Sequence, residues 1–151
     1  MSLMIPRGPA MNGTLVDDFR GPPRAAGAVI LLEAIVGLTA LSGGLTLAFS
    51  PYGSASKLPM SLLEHSGFPS YLVPGMLLAF VVGGLNLTAA AMTVRKSVYA
   101  ALLSALAGGA LVLFIVVELM LTRTFHPLQL VMLALGLAIV RLSLPERTRR
   151  S

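Results

Sequence analysis

The sequence contains no cysteine, so disulfides, thiolate metal sites, iron–sulfur clusters and cysteine nucleophiles are excluded. Charge is scarce as well: 11% of the 151 residues are Asp, Glu, Lys or Arg, against about 25% in an ordinary soluble domain. No GxSxG, HExxH, phosphate-loop or dinucleotide glycine pattern occurs, so there is no visible catalytic constellation. The first 24 residues hold Pro6, Pro9, Asp17, Asp18, Pro22 and Pro23 and lack the apolar stretch of a signal peptide. The first apolar span is therefore expected to serve as its own insertion signal.

What is present is apolar: 56% of the residues are hydrophobic. Four runs reach the length of about 17–25 residues that a membrane-crossing helix needs. They are Ala25–Phe49, Leu72–Thr93, Val98–Leu121 and Leu128–Leu144. The formal net charge of +5 is read from where the cations fall rather than as a sign of nucleic-acid binding, and no nucleic-acid partner is expected. Arg7, Arg20 and Arg24 precede the first run, Arg95 and Lys96 separate the second from the third, and Arg147, Arg149 and Arg150 follow the fourth. The other two connections carry only Lys57 and Arg123. The positive-inside rule then puts both termini in the cytoplasm, with the basic segments against anionic lipid.

The fold expected is an all-α integral membrane protein, an antiparallel four-transmembrane-helix bundle. Residues 1–24 are expected as a flexible cytoplasmic tail, 25–144 as the bundle and 145–151 as a basic cytoplasmic tail. Short connections at Val94–Ser97 and Thr122–Pro127 force neighbouring helices to lie antiparallel. Residues 59–66 are expected as a short surface helix in the first outer loop, with Phe68 and Tyr71 as aromatic anchors at headgroup depth. Small residues at helical spacing, among them Gly37, Gly44, Gly75, Gly83, Gly108 and Gly109, mark faces where helix backbones approach closely.

Polar residues inside such spans are costly and need an account. At 1.5 Å per residue, Glu33 lies about 12 Å from the cytoplasmic end of its span, Asn86 about 10 Å, Ser104 about 9 Å and Arg141 about 5 Å. The four share one layer, and the expectation is a Glu33–Arg141 ion pair with Asn86 and Ser104 as hydrogen-bonding neighbours, a latch that fixes helix order. At the opposite end, Glu64, His65, Glu118 and His126 form a candidate ligand cluster of two carboxylates and two imidazoles. Their spacing matches no compact metal motif, and neither a metal nor a cofactor is expected.

The segment Ser50–Leu87, with its P-x-G at Pro51–Gly53, L-P-x-S-L-L at Leu58–Leu63 and F-P-x-Y-L-V-P-G at Phe68–Gly75, resembles small four-helix bacterial membrane proteins of the DoxX-like type. The resemblance implies a place in the bacterial cytoplasmic membrane. It also implies an association with quinol oxidation or oxidoreductase complexes, as for some members, although no family catalytic residue maps onto this chain. Two functions follow as expectations. One is a non-catalytic subunit that packs against other integral membrane subunits and lipid. The alternative is a redox-linked, quinone-associated or small-molecule-handling protein, which requires a cavity opening outward past Glu118, His126 and His65, or a water path to Glu33.

Overall fold

The computed structural model describes residues 25–54, 59–64, 67–122 and 126–144. Among them the regular elements are all helical. Three helices are long and apolar enough to cross a membrane: α1 (Ala26–Phe49), α2 (Leu72–Val94) and α3 (Ala100–Thr122). A fourth, α4 (Pro127–Ser143), has 17 residues, near the lower end of the spanning range of about 17–25. Large apolar side chains face outward from every helix, for example Leu38, Phe80, Leu113 and Leu137. That is the surface of a helical membrane protein, where lipid takes the place of water.

The connections explain the antiparallel order. After α2 the chain reverses within five residues: Lys96 takes a left-handed φ of 53°, its N–H donates to Thr93 O at 3.0 Å, and Ser97 N–H donates to Met92 O at 3.0 Å. This closes the last carbonyls of α2 as a Schellman-type cap does. At the other end, α4 starts on a reciprocal cap. The His126 N–H donates to Gln129 Oε1 at 2.9 Å, and the His126 side chain accepts from the Leu128 N–H. Pro127 sits at the first helical position, where no N–H is missed.

Glycine sets which helices touch. A Cβ on Gly44 would strike the backbone N of Ala79, and one on Gly75 would lie 2.7 Å from Gly44 O, so α1 and α2 pack backbone to backbone. Gly37 against Leu87 and Gly83 against Leu41 extend this contact along both helices. A second contact joins α3 to α4, where a Cβ on Gly108 would lie 2.9 Å from Gly136 O. In lipid, such approaches replace the hydrophobic force as the source of association. Gly109, expected on a packing face, has nothing within 4 Å of its Cβ position. One residue on from Gly108, it is turned about 100° round the helix and faces outward.

Two further expectations change. The surface helix foreseen over residues 59–66 is, among the described residues, a single 3₁₀ turn, Met60–Leu63, with Leu63 buried. Tyr71 is not a lipid-facing anchor. It is 6% exposed, and its hydroxyl donates to Pro59 O at 2.7 Å while its N–H donates to Pro51 O at 2.9 Å. Both bonds hold the loop down over the end of the bundle.

Candidate functional site

The bundle has two unlike halves. Its base is the end where α1 begins and α2 turns into α3; its top is the end capped by the loop between α1 and α2. The base is dense. Glu33, Asn86 and Ser104 are each 0% exposed and Thr93 is 2% exposed, so α1, α2 and α3 direct polar groups into one apolar layer. Asn86 Nδ2 donates to Val82 O at 2.8 Å on its own helix and reaches Ala107 O on α3 at 3.5 Å. Thr93 Oγ1 donates to Ala89 O at 2.9 Å and lies 3.4 Å from Ser104 Oγ.

The Glu33–Arg141 ion pair expected from the sequence is not formed. Neither carboxyl oxygen of Glu33 has a hydrogen-bond partner, and Arg141 is exposed. Helical phase gives the reason: α4 buries Gly136, Ile139 and Ser143, and Arg141, two residues from both Ile139 and Ser143, points to the far side of the helix. The Ser104 hydroxyl stands beside the Glu33 carboxyl, but the approach falls short of hydrogen-bond geometry.

The top is hollow. A cavity of about 420 Å³ lies between the α1–α2 pair and the α3–α4 pair. Val36, Ala40, Gly43 and Leu47 form its α1 wall, and Leu77 and Leu78 its α2 wall. Phe114, Ile115 and Met132 close the other side, and Leu63, Phe68 and Tyr71 cover it from the loop. The α2 wall begins a widened, π-type turn over Leu77–Gly83, a deviation that recurs at functional sites. The polar groups in the lining are few: Glu118, Gln129, Thr39 and the Tyr71 phenol. Glu118 and Gln129 are joined by a side-chain hydrogen bond. Because Gln129 Oε1 already accepts from the His126 N–H, the Gln129 amide donates and Glu118 accepts. Burial pushes the Tyr71 phenol above its ordinary value, which keeps it a neutral donor to Pro59 O.

The candidate outer cluster is only partly gathered. Glu118 turns into the cavity. His126 is exposed and is occupied in capping α4, and Glu64 is exposed. His65 lies outside the described residues. Among the described residues no three of His, Asp and Glu come together as a metal site would require. Sequence reasoning missed Gln129, Thr93 and the buried role of Tyr71. Gln129 was legible as the third helical residue after His126-Pro127, the position from which a Gln caps. Thr93 follows Asn86 by seven residues and so falls on the same helical face.

Compared with known proteins, the chain matches no family model, no curated protein and no solved structure.

Proposed function

We propose that the protein holds a lipophilic small molecule in the upper half of its bundle. The apolar part of the ligand fills the cavity and its polar end meets Glu118 and Gln129. The observation that carries this reading is the cavity itself. At about 420 Å³ it falls within the range of about 300–1,000 Å³ usual for ligand sites, and its nearly all-apolar wall with a few polar groups is the usual composition. Glu118 and the Gln129 amide suit a polar head group that exchanges hydrogen bonds with a carboxyl and an amide. A quinone or quinol is the member of this class that the DoxX-like resemblance implies. The distribution of Arg and Lys supports a cytoplasmic location for both termini, with the cavity in the outer half of a bacterial cytoplasmic membrane.

A second reading, a non-catalytic subunit packed against other membrane proteins, draws on Gly84 and Gly109. Neither has an atom within 4 Å of its Cβ position, so each leaves bare backbone for a partner helix to approach. One experiment separates the two readings: gentle extraction of the protein with its native lipids, followed by native mass spectrometry. A stoichiometric amphiphile that is lost from Gly43→Phe, a change that intrudes on the cavity, supports the ligand reading. Stoichiometric protein subunits with no bound small molecule support the other.

A further inference from the structure

Glu33 is the one carboxyl buried to 0% exposure among the described residues, and the ligand reading makes no use of it. The hydrogen-bond inventory around it is lopsided. Thr93 spends its only proton on Ala89 O. If Thr93 Oγ1 and Ser104 Oγ share a hydrogen bond across their 3.4 Å, Ser104 must be the donor, because Thr93 has no second proton. The Ser104 oxygen is then left with lone pairs toward Glu33. The one other orphan in the layer among the described residues, Asn86 Oδ1, is again an acceptor. Among the described residues the Ser104 hydroxyl is the one donor beside the two carboxyl oxygens, and Thr93 competes for its proton; a carboxyl that carries its own proton satisfies this layer without a counter-ion.

A metal ion fits poorly. The helices run regularly through this layer, α1 along its whole length and α2 from Gly84 to Val94, so their carbonyls are committed to helical bonds. A cation such as calcium takes about 6–8 oxygen ligands, more than Glu33, Asn86, Ser104 and Thr93 supply. Among the described residues no titratable group compensates from any side: α2 offers Asn86 and Thr93, α3 offers Ser104, and α4 offers Ser143, whose hydroxyl donates to Ile139 O at 2.6 Å. Arg95, Lys96 and Arg141 are exposed.

We infer that Glu33 is a proton-binding site. In the closed bundle the carboxyl carries its proton, and a small approach of the neighbouring Ser104 Oγ lets it donate there, so that the donors run in one direction from Glu33 through Ser104 and Thr93 to Ala89 O. Release breaks the acid O–H bond, passes the proton to a water molecule and leaves a carboxylate. The Ser104 hydroxyl then turns from Thr93 to donate to that carboxylate. The route for water leads through the cavity, because Val36 in its wall stands three residues from Glu33, a rise of about 4.5 Å along α1. The site is therefore sealed by the side chain that separates it from the hollow half.

Infrared spectroscopy of the full chain in lipid nanodiscs tests this, because a protonated carboxyl has a C=O stretch that a carboxylate lacks. The expected result is a protonated-carboxyl band at neutral pH that disappears in Glu33→Gln, persists in Glu118→Gln and shifts in Ser104→Ala, where the acceptor is removed. The Gln amide can still donate to Ser104, so Glu33→Gln is expected to fold. Should it fail, the triple variant Glu64→Gln, Glu118→Gln, Glu146→Gln leaves Glu33 as the only glutamate, and ¹³C-glutamate labelling must then shift the band. Absence of the band in the wild-type protein, or its survival unchanged in Glu33→Gln, overturns the assignment, as does a label-insensitive band in the triple variant. These outcomes do not depend on whether the cavity holds a ligand.

Discussion

The two halves of this bundle are built from the same helices and differ in what holds them together. At the base, α2 and α3 meet through polar contacts, Asn86 to Ala107 O and Thr93 to Ser104, and the residues between are small: Ala89, Ala100 and Ala107 are each 0% exposed. At the top, glycine draws α1 onto α2 and, lower down, α3 onto α4, but the facing residues of the two pairs are Leu47, Leu77, Leu78 and Phe114. Large side chains hold the pairs apart where small ones would let them close. Without a hydrophobic force between helices in lipid, helix contact goes where backbones can meet, and a gap persists where they cannot. The cavity is thus a consequence of where glycine and alanine are placed.

Two adjacent glycines sharpen that contrast. Gly44→Leu would press a side chain into the α2 backbone at Ala79 and Gly75. Backbone cannot step aside as a side chain can, so the loss should reach about 3 kcal/mol, the upper end for overpacking. Thermal melts in detergent read this directly, and a melt within a few degrees of wild type would show that α1 and α2 do not pack as described. Gly43→Phe should do the opposite. Nothing lies within 4 Å of its Cβ position and it lines the cavity, so the ring gains dispersion contacts while the helix loses a glycine, worth roughly 0.5–1 kcal/mol. Unchanged or higher stability, with several-fold less bound amphiphile by native mass spectrometry, is the expected pair of results. Loss of fold in Gly43→Phe would remove the distinction between the two halves.

How much of this was legible in the sequence depends on what each feature rests on. The three long helices and the shorter fourth follow from run length and apolar composition, which a linear reading captures. The polar layer was legible as depth, because rise per residue is fixed, and Glu33, Asn86 and Ser104 are buried. Its pairing was not, because helical phase decides which side of α4 carries Arg141, and the boundaries that set that phase were read from composition alone. Gly108 and Gly109 show the same limit: both are small, yet only one faces a neighbour. The cavity could not be read at all. The small residues that set the helix contacts were visible, but the widened turn in α2 that begins in the cavity wall and the loop residues Leu63 and Tyr71 that cover it are signalled by no local pattern.

Tyr71→Phe tests that cover. The change leaves the ring and removes the hydroxyl that donates to Pro59 O at 2.7 Å. Its global cost should be near 1 kcal/mol, that of an ordinary hydrogen bond plus the acceptor left behind. The local effect should be clearer: faster amide exchange along the described part of the loop and faster ligand release, with the base unchanged. Equal exchange in both proteins would mean that the Tyr71 backbone bond to Pro51 O alone keeps the top closed.

The smallest expected effect decides between a latch and the arrangement seen. An ion pair buried between Glu33 and Arg141 would make the single changes costly and the double change milder, since removing one partner strands the other's charge. Arg141 instead faces outward and touches no part of the polar layer, so Arg141→Gln should alter stability by no more than about 0.5 kcal/mol, as surface substitutions do. Combined with Glu33→Gln, the two effects should add to within about 0.5 kcal/mol, as for sites that share no partner. A double-mutant cycle in detergent melts measures that coupling. Coupling clearly above this level would bring Arg141 into contact with Glu33 in the folded protein. It would also supply the carboxyl with a counter-charge and remove the need for the proton assigned to it.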